Sequence, residues 1–410
     1  MNRADAQRLD EELARRGLVS THQPECADIL VLNTCVVRQS AEDKVLGRMA
    51  SLSSIKRQHP ERALIVMGCF VDDESALASR YPYVDAFFRP SDVAGVVTYL
   101  EARDGDRRDA RPLAPAPPAP VSDLVPISYG CNRHCTYCIV TIRRGPEVSR
   151  SVDEIVAEVE DRVARGAREV TLLGQNVDSY GGDLPGRPDL SDVLQAIHGL
   201  KDLWRIRFLT SHPADMSQRI IDAATVLPKV CETWELPVQS GNDTVLRRMA
   251  RGYTVARYRD LVARIRTACP ASALNTDVIV GFPGETEGQF EDTLRLVEET
   301  RFDVVHVAAY SVRPGTPAAD WPDDAPLEEK GRRRRAVEAA QARIAGEINA
   351  ALLGKTVEVL VDGRRRGRWS GRTRTNKLVF FEDAGAWPGR LAQVRITWAG
   401  PWSLIGEVDA

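Results

Sequence analysis

The hydrophobic pattern of residues 1–104 predicts a small α/β domain. Leu9 and Leu13 recur at helical spacing before Gly17, which is typical of an amphipathic helix over residues 2–16. Three apolar runs follow, separated by segments of helical length: 27–32, 63–67 and 83–88. Strand, helix and strand in this order predict an open parallel sheet with right-handed crossovers, followed by a helix near 91–100.

A longer alternation of the same kind fills residues 122–353. Six apolar runs alternate there with helical segments: 124–128, 169–173, 204–210, 232–238, 274–280 and 303–311. Six βα units predict a partial parallel (β/α)6 barrel, whose chemistry collects at the carboxyl ends of the strands. A long helix over 328–353 carries four consecutive arginines, which we interpret as a solvated surface because they cover all its sides.

The pattern changes to short strands and turns in residues 354–410. Five runs predict a small antiparallel β-barrel: 356–361, 369–373, 378–381, 391–397 and 404–408. Residues 105–121 are first charged and then rich in proline, so they predict an extended linker between the first two domains.

Composition and charge limit the class of protein. The 410 residues carry a formal net charge of -3, which argues against a generally basic surface, so any contact with RNA must be local. Eight unevenly spaced cysteines, without a signal peptide, indicate reduced thiols or metal ligands rather than a disulfide framework. No apolar run approaches the ~18 residues of a membrane span. The sequence therefore predicts a cytoplasmic protein that does not enter a membrane.

Positive charge is concentrated in the C-terminal segment. Residues 355–410 hold ten Lys or Arg against six Asp or Glu, whereas the remaining 354 residues are net acidic. These basic residues are interleaved with Trp369, Phe380 and Phe381, and exposed aromatic rings among cations suit the phosphates and stacked bases of RNA. The candidate RNA-binding residues are Arg364, Arg365, Arg366, Arg368, Trp369, Arg372, Arg374 and Lys377.

The strongest local signal for chemistry is the loop after the first barrel strand. Cys131, Cys135 and Cys138 lie within eight residues, a spacing that indicates a shared metal. A closed zinc site needs four ligands, whereas an iron–sulfur cube held by three cysteines keeps one iron free for a substrate. The alternative is a zinc site with His134 as the fourth ligand, but His134 is adjacent to Cys135. The spacing favours the cluster.

Two further cysteines follow two strands of the N-terminal domain. Cys35 comes after the run 27–32, and Cys69 comes after the run 63–67. The carboxyl ends of parallel strands share one edge, where open α/β sheets bind ligands, so we expect both thiols to be ligands. Cys26 precedes its strand, and we interpret it as an incidental thiol.

Glycine and short polar residues follow the other barrel strands, and together they predict the wall of a cofactor site. Each of these strand tips, the short segments that directly follow a strand, is equally typical of an ordinary turn when it is taken alone. His212 is either a general base or a structural hydrogen-bonding residue, and His306 is predicted to lie in the core or to line the barrel. The tips are residues 174–176, 211–213, 239–242 and 281–286.

The cysteine loop and these tips together resemble the radical-SAM methylthiotransferases over almost the whole chain. Residues 174–176 and 210–213 are similar to the branch that modifies isopentenylated adenosine in tRNA, whereas the branch that modifies a ribosomal protein differs at both tips. The tail, with residues 370–376, resembles the family's RNA-binding TRAM domain.

The resemblance implies two clusters and a radical mechanism. Cys131, Cys135 and Cys138 would hold a [4Fe-4S] cluster that binds S-adenosylmethionine and cleaves it to a 5′-deoxyadenosyl radical. The radical would remove the hydrogen from C2 of the adenosine, and a second [4Fe-4S] cluster at Cys35 and Cys69 would supply methylated sulfur. The residues implied to contact S-adenosylmethionine are Tyr137, Gln175, Asn176, Gln239, Ser240, Gly281 and Glu285.

The resemblance also implies partners: a tRNA substrate, an electron donor such as flavodoxin or ferredoxin, and iron–sulfur carrier proteins. In one respect the chain departs from the family. The family's second cluster uses three cysteines, and the first of them would precede Met1. We expect the natural protein to begin upstream and to supply that cysteine.

Three alternatives to this function remain at the level of sequence. One is a methylthiotransferase that acts on threonylcarbamoyl-adenosine of tRNA or on a ribosomal protein. Another is a truncated, non-catalytic tRNA-binding form, and the third is an RNA-binding zinc protein.

Overall fold

The computed structural model describes residues 1–37, 39–104 and 114–409. Its N-terminal part is a three-stranded parallel sheet in the order β1-β2-β3. All six residues of β2 are buried because apolar helix faces cover both sides of the sheet. The elements are α1 (Asn2–Arg15), β1 (Ile29–Thr34), α2 (Gln39–Gln58), β2 (Ala63–Gly68), α3 (Glu74–Arg80), β3 (Ala86–Phe88) and α4 (Val93–Asp104).

The predicted linker is described only in its second half. Residues 105–113 lie outside the described residues, and residues 114–120 have no regular secondary structure. The Ala114 N–H donates to the Arg15 carbonyl at 2.7 Å, and Arg165 donates to the Pro117 carbonyl at 2.8 Å. The proline-rich chain is thus extended, and it is held against α1 and the central part of the molecule.

The central part contains six parallel strands, which confirms the predicted partial barrel. They form two sheets, β4-β7-β8 and β9-β10-β11, and a single parallel bridge from Ile206 to Val230 joins β8 to the segment before β9. The six parallel strands are β4 (Ser122–Pro126), β7 (Glu169–Leu173), β8 (Arg205–Phe208), β9 (Thr233–Glu235), β10 (Ala273–Val280) and β11 (Val304–Ala309). Two further short strands, β5 (Ser128–Tyr129) and β6 (Val148–Ser149), pair antiparallel with each other.

Amphipathic helices cover the outside of this barrel. Several begin at a side-chain cap; Ser151 with Glu154 and Thr286 with Gln289 form reciprocal capping boxes at two of them. The helices are α5 (Val140–Arg144), α6 (Val152–Ala164), α7 (Leu190–His198), α8 (Gln218–Val226), α9 (Asp243–Arg248), α10 (Val255–Ala268), α11 (Glu287–Thr300) and α12 (Leu327–Ala350).

The C-terminal part is a closed five-stranded barrel. Four of its strand pairs are antiparallel, but the pair that joins β14 to β16 is parallel. The predicted all-antiparallel pattern is wrong at that pair because β15 pairs with β12 instead of β14, so β16 returns in the direction of β14. The strands are β12 (Thr356–Arg365), β13 (Arg368–Arg372), β14 (Leu378–Phe381), β15 (Leu391–Ala399) and β16 (Leu404–Val408).

The aromatic residues of β13 and β14 do not form the exposed platform expected from the sequence. Trp369 is only 9% exposed and Phe381 is fully buried, and both belong to the barrel core. Alternation along a strand places every second residue inside a small barrel, and these two positions face inward. Their burial corrects the expectation of exposed rings at these positions.

Candidate functional site

The three-cysteine loop leaves the barrel at β5 and returns at β6. The Cys131 N–H donates to the Gly145 carbonyl at 3.1 Å and closes the base of the loop. Gly130 has a φ of 68°, and an added Cβ would overlap the Pro146 carbonyl oxygen, so glycine is required there. The backbone between Gly130 and Gly145 therefore forms a compact loop on the rim of the barrel.

The three thiols of the loop lie within electrostatic reach of one another. Burial, with smaller contributions from the neighbouring Cys135 and Cys131, raises the pKa of Cys138 to about 12. Burial, with a contribution from Cys135, also raises the pKa of Cys131. Positive charge at this point would favour the ionised thiols, and an iron–sulfur cluster would supply it.

Arg251 supports the loop from the inside of the barrel. It is 5% exposed, and its Nη1 lies 3.4 Å from the Cys135 sulfur and its Nη2 donates to the Pro237 carbonyl at 2.8 Å. Sequence analysis missed this residue because 116 positions separate it from Cys135. No local motif marks it.

The donor set fits an iron–sulfur cluster held by three cysteines. His134, the fourth ligand required by the zinc alternative, is exposed at the loop surface. In the part of the chain that the structure describes, no three His, Cys, Asp or Glu side chains converge as they would on a single metal ion. The role of the three thiols as ligands therefore stays a prediction from their spacing.

The second pair of cysteines lies where the strands β1 and β2 end. Thr34 and Gly68 are register partners, so Cys35 and Cys69 follow them side by side at the carboxyl edge of the sheet, as predicted. The Cys69 N–H donates to the Thr34 carbonyl at 3.1 Å. Burial raises the pKa of the Cys69 thiol, and the proximity of Cys35 raises it further.

Two cationic groups lie beside this pair of thiols. Burial lowers the pKa of the Met1 amino group, and Arg144 lowers it further, whereas Asp5, Cys35 and Cys69 act in the opposite direction. Arg144 donates to the Asn2 side chain at 2.6 Å and contacts Cys69. Because Arg144 ends the short helix α5, which begins two residues after Cys138, that helix links the two cysteine sites.

A small cavity of 170 Å³ lies beside the three-cysteine loop. Val37, two residues after Cys35, lines it from the N-terminal part of the chain, and Tyr137, Cys138 and Gln239 line it from the central part. Arg313 closes one side and donates to the Val36 carbonyl at 3.1 Å. The predicted cofactor residues Tyr137 and Gln239 thus share one space with a loop cysteine.

Asn176 occupies the rim beside the loop. It is 3% exposed and donates to the Asp215 carboxylate at 2.7 Å, while its own Oδ1 has no hydrogen-bond partner. Asp215 also forms an ion pair with Arg133 of the cysteine loop. A buried acceptor without a partner is unusual in a folded protein, and it is open to a ligand that donates a hydrogen bond. Gln175 is half-buried next to it.

Three other predicted cofactor residues hold the backbone of their own turns. The Ser240 hydroxyl lies 3.3 Å from the Thr293 hydroxyl. Glu285 accepts from the Gly281 N–H at 2.6 Å and from Arg333 at 2.9 Å, and its other oxygen has no partner. Their contact with a cofactor stays a prediction, and their observed contacts are structural.

The two histidines considered from sequence have different surroundings. His212 is 5% exposed, and burial, together with Arg251 and Arg133, lowers its pKa to about 2. Its Nδ1 accepts from the Ala214 N–H at 3.2 Å. These contacts favour the structural interpretation of His212. His306 lines the inside of the barrel, as predicted.

Comparisons with known proteins identify the same three parts. The Radical SAM superfamily matches residues 125–297, the Uncharacterized protein family UPF0004 matches residues 1–89, and the TRAM domain matches residues 350–408. A tRNA-2-methylthio-N(6)-dimethylallyladenosine synthase from Roseiflexus sp. (strain RS-1) is 51% identical over 99% of this chain and 87% of its own length. The protein of the same name from Herpetosiphon aurantiacus is 48% identical over 100% of this chain and 96% of its own length.

The chain belongs to the tRNA-2-methylthio-N(6)-dimethylallyladenosine synthase family. The resemblance to radical-SAM methylthiotransferases inferred from the motifs is thereby confirmed. Among solved structures, this family member is similar to the radical S-adenosylmethionine methyltransferase TsrM from Kitasatospora setae, with a TM-score of 0.55 and 12% identity over 77% of this chain and 67% of the other. That likeness shows the fold of the radical-SAM part.

In this member of the synthase family, the candidate RNA-binding residues fall into two groups. Residues 364–366 and Arg368 are exposed around the turn between β12 and β13. Arg372, Arg374 and Lys377 instead face the central barrel: Arg374 pairs with Glu232 at 2.7 Å, and Lys377 pairs with Asp303. The first group is exposed, and its ion pairs, Arg368 with Glu382 at 2.8 Å and Arg365 with Asp362 at 4.0 Å, lie on the surface of the C-terminal barrel.

Arginines of β8 complete the contact between the two barrels. Arg207 is 6% exposed and donates to the carbonyls of Thr373 and Arg374, each at 2.8 Å. Arg205 is 1% exposed and pairs with Glu358 at 2.7 Å. The C-terminal barrel is thus fixed to the starts of the central strands.

No helix in the described part of the chain is long and apolar enough to span a membrane.

Proposed function

We propose that this protein attaches a methylthio group to C2 of N6-isopentenyladenosine beside the anticodon of tRNA. The observation that carries the proposal is the cavity that Val37 and Cys138 line together. It brings the loop proposed to hold the radical-generating cluster next to the segment that follows Cys35, a proposed ligand of the sulfur-donating cluster. The names of the relatives, at 48–51% identity over nearly the whole chain, support this substrate.

Cys131, Cys135 and Cys138 would hold the first iron–sulfur cluster. When bound, that cluster supplies the electron that cleaves the sulfonium of S-adenosylmethionine. Asn176 is oriented to accept a hydrogen bond from the ligand, because its Nδ2 is engaged by Asp215 and its Oδ1 is left without a partner. Tyr137 and Gln239 line the cavity in which the reacting atoms would meet. Gln175, Ser240, Gly281 and Glu285 would contribute to the rim around S-adenosylmethionine.

Cys35 and Cys69 would hold the second cluster together with a third ligand. The Met1 amino group lies near both thiols and Arg144. Arg144 balances the negative charge of the thiolates and keeps this site facing the barrel.

The remaining partners follow from the chemistry. The tRNA is the substrate, and the exposed arginines at 364–366 and Arg368 would contact its phosphates. Reductive cleavage needs a one-electron donor such as flavodoxin or ferredoxin. Iron–sulfur carrier proteins would load both clusters.

Mass spectrometry of tRNA nucleosides from a strain that lacks the gene tests the proposal. We expect 2-methylthio-N6-isopentenyladenosine to disappear and N6-isopentenyladenosine to accumulate. Loss of the methylthio group from threonylcarbamoyl-adenosine instead would assign the chain to that rival branch, and loss of the modified aspartate of a ribosomal protein would assign it to the other. If all these modifications persist, the protein is a tRNA-binding form without this activity.

A further inference from the structure

A second and larger cavity, of 470 Å³, lies between the central barrel and the C-terminal barrel. Glu235, Asp277 and His306 line it from the inside of the central barrel, and Asn376 and Trp402 line it from turns of the C-terminal barrel. The cavity is of the size that holds a small organic group such as a nucleobase with its sugar.

This cavity adjoins the one beside the three-cysteine loop. Asp277 and His306 line both cavities, and Cys138 and Gln239 line the second. Together the two neighbouring cavities mark a path along the inside of the central barrel, from its contact with the C-terminal barrel to the three-cysteine loop.

Trp402 lies at the open end of this path. It is 63% exposed, although tryptophan is among the more buried residues of folded proteins on average. Its turn is held by Asn349 of α12, whose side chain donates to the Gly400 carbonyl at 2.8 Å and to the Pro401 carbonyl at 3.2 Å. These hydrogen bonds hold the backbone of the turn in place, although the Trp402 ring itself is not part of the hydrophobic core.

The polar groups of the cavity suit a base rather than a phosphate. Carboxyl groups of Glu235 and Asp277, with the carboxamide of Asn275 and the imidazole of His306, present acceptors and donors to the edge of a base. The three carboxyl groups of Glu235, Asp277 and Asp303 outnumber the two cations of the lining, Arg372 and Lys377, and Lys377 already pairs with Asp303, which disfavours a phosphate. The arginines at 364–366 and 368 lie at the opposite end of the C-terminal barrel from Trp402. The beginning of β12 lies next to the end of β15, which leads to Trp402, whereas the arginines lie around the end of β12.

We propose that Trp402 is a stacking platform for an unpaired base of the anticodon loop, and that it guides the neighbouring adenosine into the cavity between the two barrels. This inference rests on the proposed function, since it takes the anticodon loop as the ligand. It assigns recognition of single-stranded bases to Trp402 rather than to the buried Trp369. Base–aromatic stacking tolerates any base, so Trp402 contributes affinity and position and leaves sequence selection to other groups.

The test measures binding of an anticodon stem-loop RNA that contains N6-isopentenyladenosine to the full-length protein. Trp402→Ala is expected to weaken binding about tenfold, the loss of one stacked base. Trp402→Phe should restore most of the affinity, because it keeps an aromatic face. Trp398→Ala is the matched control, since Trp398 is 50% exposed on the same barrel but does not line the cavity.

A set of stem-loops with one abasic position each separates stacking from a general effect. One abasic position should weaken binding to the wild-type protein about tenfold and cause no further loss in Trp402→Ala. The slope of affinity against salt concentration should be the same for both proteins, because a stack releases no counterions.

Equal affinity of Trp402→Ala and Trp398→Ala would overturn the proposal. So would abasic losses that are the same in the wild-type protein and in Trp402→Ala at every position. If the wild-type protein binds none of the stem-loops, the proposed function fails instead, and the two failures are thereby distinguished.

Discussion

The two cysteine sites of this protein are built in different ways. The three-cysteine loop is local: its thiols lie within eight residues, and one backbone hydrogen bond and one glycine close its base. The pair Cys35 and Cys69 is assembled from the ends of two parallel strands, and a cation from the barrel, Arg144, lies against it. The thiols of the first site therefore come from one loop, which Arg251 and Asp215 of the barrel support, whereas the second site depends on how the N-terminal sheet meets the barrel.

Because the two sites are built differently, we expect a substitution in one site to leave the other site intact. Alanine at any of Cys131, Cys135 or Cys138 should abolish reductive cleavage of S-adenosylmethionine and remove the iron of one cluster, because two thiols do not hold a cube. The measurement is 5′-deoxyadenosine formed and iron bound per chain in anaerobically reconstituted protein. Cys26→Ala is the control, since Cys26 is an exposed thiol away from both sites and should leave both values unchanged.

Arg144 tests the dependence of the second site on the contact between the domains. Its side chain is 5% exposed and faces Asp5, which is 1% exposed, at 3.4 Å. Arg144→Ala leaves a buried carboxylate without its partner and should lower the free energy of unfolding by about 3–5 kcal/mol. Urea denaturation of the full chain measures this.

The neighbouring residue provides a matched control for Arg144. Arg143 pairs with Asp72 at 2.6 Å, but Asp72 is 51% exposed. Arg143→Ala should therefore cost less than about 1 kcal/mol. Equal losses in the two variants would show that the buried pair does not fix the N-terminal sheet to the barrel.

The exposed arginines at 364–366 should affect RNA binding and neither cysteine site. Alanine at all three is expected to reduce the slope of log affinity against log salt concentration by about 2, because each lost phosphate contact retains a counterion. Cleavage of S-adenosylmethionine without RNA should not change. Arg334→Ala with Arg335→Ala, two exposed positions on α12, is the control, and the same slope change there would contradict a local RNA contact.

An effect that depends on pH is expected at Asp178, on the rim near the three-cysteine loop. Burial raises its pKa to about 8, and its carboxylate accepts from the His212 N–H at 2.9 Å. Its contribution to the free energy of unfolding is present in full below about pH 4, the value of the unfolded chain, and is lost as the pH rises towards 8. Asp178→Asn should therefore gain stability relative to the wild-type protein across that range, and a constant difference would contradict the assignment.

The sequence predicts elements whose signal is local. The strand at 169–173 and the two at 378–381 and 404–408 have the predicted bounds, because short apolar runs between turn residues define them. The strand predicted over 232–238 ends at Glu235, and Pro237, which lacks an N–H, follows shortly after. The two-residue strands β5 and β6, which frame the cysteine loop, have no periodicity to detect.

The candidate site shows the same difference between features that a local sequence signal predicts and features that form only after folding. The three thiols of the loop are visible in the sequence from their spacing, but the partners that fix them are distant in the chain. Arg251 meets Cys135, Asp215 meets Arg133, and Arg144 meets Cys69 only after folding. Likewise, only the closed barrel distinguishes the buried Trp369 from the exposed Trp402.

The central claim is that one cysteine site generates the radical and the other supplies sulfur. The most direct test uses a strain whose chromosomal gene carries Cys69→Ala, with the encoded protein purified anaerobically and given tRNA and S-adenosylmethionine in one reaction. We expect 5′-deoxyadenosine to form while 2-methylthio-N6-isopentenyladenosine is absent. Persistence of the methylthio product, or loss of both products from a folded protein, would contradict the account.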